Sequence, residues 1–263
     1  MSGLNIDGSG AAVRAARARE LTKNTSSAAD LLAFYASLVE YQQRLDVASG
    51  FSRTSGSLLH AIDSKWVGRA VRDFIRWLVP LKPDTSHLSD MTIEEWRELF
   101  ELYRANPEEA AARFSEAAVF ALEAVIQPIA ECLAAHRTLT AGATDPRCPA
   151  CGGTPVVGVL REEGHGAKRR LVCGLCCTEW DYLRLVCVKC GEQRFDALPV
   201  FSAEQFPHAR IDACDTCRSY LKTIDATRDG RVVPVVDDVA SVALDLWARE
   251  QGYERVRRNL VGI

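Results

Sequence analysis

A chain of 263 residues has room for one large or two medium domains, each with a buried core. Its 48% hydrophobic and 25% charged residues are ordinary for a globular protein, and they exclude a disordered or low-complexity chain. A net charge of −3 and a pI near 6.0 give no overall pull toward nucleic acid or an anionic membrane. No apolar run reaches the roughly 18 residues of a membrane span. Residues 1–10 are polar and glycine-rich, without the core of a signal peptide. A cytoplasmic location is expected, where ten cysteines favour metal over disulfides.

Residues 1–145 read as a helical domain. An arginine-rich stretch over 11–23 forms a first short helix. Ser26 or Ser27 can cap the next, with Leu31, Phe34, Tyr35, Leu38 and Leu45 on one face. A break is expected over 50–56. A helix then starts near Asp63 or Ser64, with Val67, Ala70, Val71, Phe74 and Leu78 on one side and Arg69, Arg72 and Arg76 on the other. Pro80 and Pro83 end it. Thr92 followed by Glu95 is a capping box, opening a helix that turns Ile93, Trp96, Leu99, Phe100 and Tyr103 inward. Asn106-Pro107 with Glu109 starts a long, mostly apolar helix. Arg113, Glu116, Glu123, Gln127 and Glu131 trace its polar stripe, and Pro128 is expected to kink or split it. Cys132 reads as a buried structural thiol. Residues 138–146 read as a linker.

Beyond the linker the pattern changes to short strands punctuated by four Cys-x-x-Cys pairs: Cys148/Cys151, Cys173/Cys176, Cys187/Cys190 and Cys214/Cys217. Each pair aims two thiolates at one point, and two facing pairs make the tetrahedral four-sulfur cage that zinc or iron accepts. The loops match, with 21 residues between Cys151 and Cys173 and 23 between Cys190 and Cys214. The pattern from Cys148 therefore repeats from Cys187. Two tandem ribbons follow, over 146–186 and 187–263, binding two metal ions. Cross-braced pairing, first with third and second with fourth, is the alternative.

Within the first ribbon, 154–160 and 168–172 read as strands around a turn at 162–166. Gly152, Gly153, Gly174 and Gly191 fit knuckle turns with positive φ. The apolar stretch 179–186 is expected to connect the ribbons as a shared strand. Trp180 and Tyr182 read as packed aromatics, or with Arg184 as a recognition surface. Lys168, Arg169 and Arg170 read as a solvated hairpin face, and His165 as an exposed turn residue. A terminal helix has Asp237 and Asp238 at its start, Val239, Val242, Ala243 and Leu246 on one face, and Gly252 at its end.

CPACGG at 148–153, VCGLCCTEW at 172–180, CVKCGE at 187–192, CDTCRSYLKTID at 214–225 and DDVASVALD at 237–245 resemble the formate dehydrogenase accessory proteins (FdhE). The resemblance is looser in the helical part, where AVRAARARELT is similar. It implies a cytoplasmic, non-enzymatic factor that contacts the catalytic subunit of formate dehydrogenase and carries iron or zinc in rubredoxin-like modules. Cys177 stands where that pattern more often has a non-thiol residue. Cys176 is taken as the ligand because it keeps the two-residue spacing.

The expected architecture is α+β: an N-terminal helical bundle, two tandem rubredoxin-like (zinc-ribbon) modules and a C-terminal helix. The eight paired cysteines are the candidate ligands of two metal ions, zinc or iron. The metal can be structural or redox-active. A catalytic dithiol is disfavoured because no βαβ unit surrounds the pairs. No phosphate-cradling loop or nucleophile elbow is present, so no enzyme activity is expected. Tandem ribbons also occur in nucleic-acid-binding proteins. The acidic balance and the lack of a basic stripe argue against that alternative.

Overall fold

The computed structural model describes residues 9–51, 57–137 and 144–262. It is α+β as expected, with helices before two cysteine-rich ribbons and helical turns after them. Most of the expected linker, and most of the break at 50–56, lie outside the described residues.

The chain forms two compact units. One is residues 41–137, and its helices follow the apolar periodicity closely. Asp63 caps α3 (Ser64–Leu78) by accepting from the amides of Lys65 and Trp66. Val67, Val71, Phe74 and Leu78 are buried on one face, whereas Arg69, Arg72 and Arg76 are exposed. The capping box of Thr92 and Glu95 opens α4 (Ile93–Ala105), which buries Trp96, Leu99, Phe100 and Tyr103.

The long helix expected from Pro107 is two helices. Asn106 caps α5 (Pro107–Arg113), and the chain then becomes extended at Phe114. Ser115 caps α6 (Glu116–Ala135), its hydroxyl accepting from the Ala118 amide. The split therefore falls at a new cap. Pro128 sits inside the continuing helix. Gln127 does not belong to a polar stripe: it is buried, and its Oε1 accepts from Gln42 Nε2 at 3.0 Å. Cys132 is only half-buried, and that burial pushes its thiol pKa up.

The other unit combines residues 1–40 with 138–263. This division differs from a cut at 145. Helix α1 (Ser9–Thr22) and most of α2 (Ala29–Gln42) share a core with the end of the chain: Ala15, Ala18, Leu32, Tyr35 and Val39 pack with Val236, Val239 and Val242. The buried face of α2 thus centres on Leu32 and Ala36 rather than Leu31, and Leu45 lies beyond the helix. Buried Arg17 on α1 pairs with fully buried Asp237, Nη2 to Oδ1 at 2.7 Å.

Seven strands form one sheet among the described residues. β1 (Pro155–Glu163), β2 (Gly166–Cys173) and β3 (Glu179–Asp181) make an antiparallel meander, as do β4 (Val200–Ser202), β5 (Ala209–Cys214) and β6 (Ser219–Asp225). The strand order is β3-β2-β1-β6-β5-β4, so the second ribbon follows the first by translation within the sheet. β1 and β6 join the ribbons in parallel, with Gly158 opposite Thr223. A Cβ on Gly158 would lie 2.5 Å from Thr223 Oγ1, so the junction requires glycine there. The stretch 179–186 is therefore not a shared strand: β3 is an outer edge, and the chain leaves the sheet after Asp181.

The terminal helix is also broken. α7 (Pro234–Ala240) ends at Ser241, and α8 (Val242–Glu250) buries Leu244, Asp245 and Ala248 while Leu246 is exposed. Gly252 closes it with φ +77°. β7 (Glu254–Arg255) then pairs with β6.

Asp237 does serve the helix start, accepting from the Val233 amide at 2.7 Å. Its larger role, and that of Asp238, is ionic. Lys222 on β6 is fully buried and reaches Asp245 at 2.5 Å and Asp238 at 3.1 Å. Arg255 bridges the same two carboxylates at 2.5 and 2.9 Å. Asn259 donates to Asp238 and Tyr220 to Asp245, both at 2.8 Å. Two cations balance two anions, and Asn259 and Tyr220 add donors to the carboxylates, which is what makes such burial tolerable, although the Arg255 Nε is left without a partner.

Breaking a buried ionic set by removing one partner costs about 3–5 kcal/mol. Lys222→Met is therefore expected to lower the unfolding free energy by about that amount, read by denaturant unfolding of the metal-loaded protein. The acid limb is also defined. Burial works to raise both carboxyls, but His208 and Arg17 hold Asp237, and Arg255 and Lys222 hold Asp238, below the usual range. Their contribution is complete above an unfolded-state pKa of about 3.9 and fades as pH falls through the lower folded values. Stability that is flat from pH 5 to pH 2 would contradict this assignment.

Candidate metal centres

The four Cys-x-x-Cys pairs are turns of two kinds. Cys148/Cys151 and Cys187/Cys190 are knuckles ahead of the sheet. In each, the amide four residues on returns to the first cysteine: Gly152 N to Cys148 O at 2.8 Å, and Gly191 N to Cys187 O at 3.0 Å. Both glycines sit at φ +75°, where a side chain is strained. Gly153 and Gly174 do not have positive φ. A Cβ at Gly174 would meet only the outer part of the Arg257 side chain, which would have to move aside.

Cys173/Cys176 and Cys214/Cys217 are instead the hairpin turns between β2 and β3 and between β5 and β6. The residue after each second cysteine takes the left-handed conformation without being glycine: Cys177 and Arg218, both at φ 54°. Cys177 is thus the counterpart of Arg218 in a repeated turn. The next residue supplies a hydroxyl to the last thiol in both ribbons, Thr178 Oγ1 to Cys176 Sγ at 3.1 Å and Ser219 Oγ to Cys217 Sγ at 2.8 Å.

The eight thiols meet as two sets. Cys148, Cys151, Cys173 and Cys176 form one, and Cys187, Cys190, Cys214 and Cys217 the other; within each, the sulfurs lie within 4.8 Å of one another. This is first-with-second knuckle closure inside each ribbon, not cross-bracing. Cys176 converges with its set, and Cys177 is outside it. Facing sulfurs are 3.4–3.5 Å apart in the first set and 3.6–3.7 Å in the second. A tetrahedral ion with metal–sulfur bonds of about 2.3 Å holds its sulfurs roughly 3.8 Å apart. The donor set and its spacing therefore fit one four-thiolate ion per ribbon, and zinc and iron are equally accommodated. Such an ion supplies a rigid crosslink and, if iron, a one-electron couple.

The protein groups prepare the sulfurs for this. Gly153 N donates to Cys151 Sγ and Leu175 N to Cys173 Sγ, both at 3.4 Å. Hydrogen bonding among the thiols holds Cys148 far below the usual thiol range and pushes Cys176 far above it. A bound dication replaces those shared protons, so its affinity falls with pH.

The basic and aromatic residues beside the first ribbon sort by face, because strand residues alternate. Lys168 and Arg170 face solvent and pair with Asp181. Arg169 between them is buried, not part of a solvated hairpin face. Its Nη1 donates to the Leu183, Arg184 and Val186 carbonyls at 3.2–3.5 Å, and its Nη2 lies 3.5 Å from Asp212 on β5. Arg169 therefore ties the first ribbon to the inter-ribbon segment and to the second ribbon. Only the two-residue period of β2 could have signalled this. Trp180 and Tyr182 are buried, Trp180 donating to Asp145 O at 3.0 Å and Tyr182 lying under Arg169. His165 is exposed in the β1–β2 turn.

Residues 147–184 match the FdhE central domain and residues 185–261 the FdhE C-terminal domain. Residues 147–261 of this chain therefore carry the two FdhE domains. A protein FdhE homolog of Aquifex aeolicus is 44% identical over 117 residues, covering 44% of this chain but only 41% of that protein. One of Pseudomonas putida is 29% identical over 277 residues, covering 95% and 86%. The crystal structure of the FdhE protein from Pseudomonas aeruginosa superposes with a TM-score of 0.68 over 97% of this chain and 96% of its own, at 24% identity. That likeness establishes the fold. The similarity to the Aquifex protein covers less than half of either chain.

Protein purified without oxygen is expected to carry two metal ions per chain by elemental analysis. Cys177→Ala should keep both, and Cys176→Ala should lose one. Metal loss from Cys177→Ala alone would reverse the ligand assignment.

The two centres should differ in lability. Cys148, Cys173 and Cys176 are buried, whereas Cys190 is exposed. A chelator titration is expected to remove the ion of the second ribbon first. Cys190→Ser should abolish the fast phase and leave the slow one. A single phase removing both ions would count against this order.

Proposed function

We propose that this chain is an accessory factor needed for active formate dehydrogenase, and that its C-terminal region docks on the enzyme's catalytic subunit. The observation that carries the reading is the coincidence of two things. The FdhE central and C-terminal domains match residues 147–261 without a gap, and that stretch is the one built around the two four-thiol sets.

In this reading the eight cysteines are ligands of two ions, zinc or iron. They lock two ribbons into one sheet and present a preformed surface. Binding through rigid elements loses less conformational entropy than binding through loops. The chain acts by contact and carries no reaction of its own. Its place is the cytoplasm, where ten cysteines without a disulfide remain reduced.

The test is deletion and complementation. Cells lacking this gene are expected to make formate dehydrogenase polypeptide that is inactive, and the intact gene should restore activity. Variants that lose both metals should fail to restore it. Normal formate oxidation in the deletion strain, with no compensating homologue, would refute the accessory role.

A further inference from the structure

Between the two ribbons, behind the second four-thiol set, lies a cavity of about 220 Å³. The inter-ribbon segment forms one wall with Leu185 and Val186, and the start of β4 forms another with Pro199 and Val200. Cys187 and Cys214 place it against the second four-thiol set.

We propose that this cavity is the client-docking site, and that it takes an extended peptide segment bearing an apolar side chain beside a carboxylate. The proposal rests on the accessory-factor reading and gives that reading a surface and a ligand chemistry.

Charge is the first support. Three arginines line the cavity, Arg169, Arg184 and Arg210, against one carboxylate, Asp212. Asp212 is already engaged by Arg210 at 2.8 Å, by Arg169 at 3.5 Å and by the Thr223 hydroxyl at 2.7 Å. Arg184 is exposed and has no ion-pair partner among the described residues. Arg169 is 4% exposed, and its Nε has no hydrogen-bond partner. The metal-loaded four-thiolate centre at Cys187 and Cys214 is itself anionic and offsets the arginines overall, but Arg184 and the Arg169 Nε keep unanswered donors on apolar walls, and a carboxylate meets them with charge-assisted hydrogen bonds.

Size and exposure are the second. A cavity of about 150 Å³ accepts one benzene ring, so 220 Å³ suits about one side chain and is small for a cofactor. At its mouth Leu185 and Val200 are each 53% exposed. Leu183 and Phe195, in the segments leading to these walls, are 42% and 80% exposed. Large apolar side chains so displayed on one region mark contact surface.

Backbone is the third. β4 ends the sheet, paired with β5 on one side and with no strand on the other among the described residues. An edge strand accepts an added extended strand, while adjoining pockets select its side chains. A nucleic acid strand would need exposed aromatic faces on which to stack its bases, and the one ring in the lining, Tyr220, is buried.

The test uses the metal-loaded full chain and three fluorescein-labelled ten-residue peptides, read by fluorescence anisotropy. The first carries a central leucine-valine pair flanked by two aspartates in a serine-glycine background. The second and third replace the aspartates with asparagine or lysine. The aspartate peptide is expected to bind at least about tenfold more tightly than either, because charge-assisted bonds are roughly twice as strong as neutral ones. Arg184→Glu should weaken it about tenfold and make the lysine peptide the better ligand, with both metals retained. Val200→Asp should weaken all three. Equal binding of the three peptides, or an unchanged preference in Arg184→Glu, overturns the proposal. So does N-acetylaspartate competing at the peptide's own affinity, which would make the cavity a small-anion site.

Complementation separates this inference from the one beneath it. Full rescue of a deletion strain by the double variant Arg184→Glu, Val200→Asp overturns the cavity and leaves the accessory role standing. A deletion strain with normal formate dehydrogenase activity removes the accessory role, and with it the client that the cavity is proposed to bind.

Discussion

The parallel contact between β1 and β6 is the constraint on which the ribbon region depends. Three residue pairs, from Gly158 with Thr223 to Leu160 with Asp225, turn two small metal-binding ribbons into one sheet. A ribbon of some 40 residues buries too little surface to be robust alone. Joined, the two share a core in which Val157, Val159, Ile211, Tyr220 and Ile224 are almost fully buried. The junction admits no side chain at position 158, and Arg169 reinforces it across the same boundary. Metal in either ribbon therefore stiffens a structure that the other also needs.

Because the second ribbon repeats the first by translation, the sheet does not close on itself. A two-fold arrangement would have put like edges together. Translation leaves two unlike edges, β3 and β4, and two unlike metal environments. The first set is largely buried and the second reaches the surface through Cys190. The repeated motif thus presents two four-thiol sets of the same composition and different exposure. The difference arises from position in the sheet, since the knuckles themselves match in hydrogen bonding and in backbone angles.

The ionic cluster around Asp238 and Asp245 plays a different part. Burying Lys222 and Arg255 with two carboxylates gains little net energy over a well-packed apolar core. It does impose a geometry, because each charge is tolerated only where its partners sit. Asp238 and Asp245 come from the two terminal helices, Lys222 from β6 and Arg255 from β7. The set fixes how these helices lie on the sheet. Asp237, one residue away, fixes α1 in turn through Arg17. Two adjacent aspartates thus hold a strand and a helix from opposite ends of the chain.

Sequence alone determined the two four-thiol sets and most of the helical unit. Both are governed by short-range rules: a Cys-x-x-Cys turn converges its thiols whatever surrounds it, and the caps at Asp63, Thr92 and Asn106 are satisfied by amides two or three residues away. The α+β order and the two four-thiol sets followed from those rules. The tertiary structure decided everything that joins distant segments. It placed α1 with the chain's end through a pair 220 residues apart, made β1 and β6 neighbours, and buried Arg169 between two half-buried basic residues. It also made the two aspartates expected at the start of the terminal helix into buried counter-ions. These outcomes depend on which cation arrives opposite a carboxylate, and no local pattern encodes that. The spacing of ligands is a property of a few consecutive residues, whereas the pairing of buried charges is a property of the folded whole.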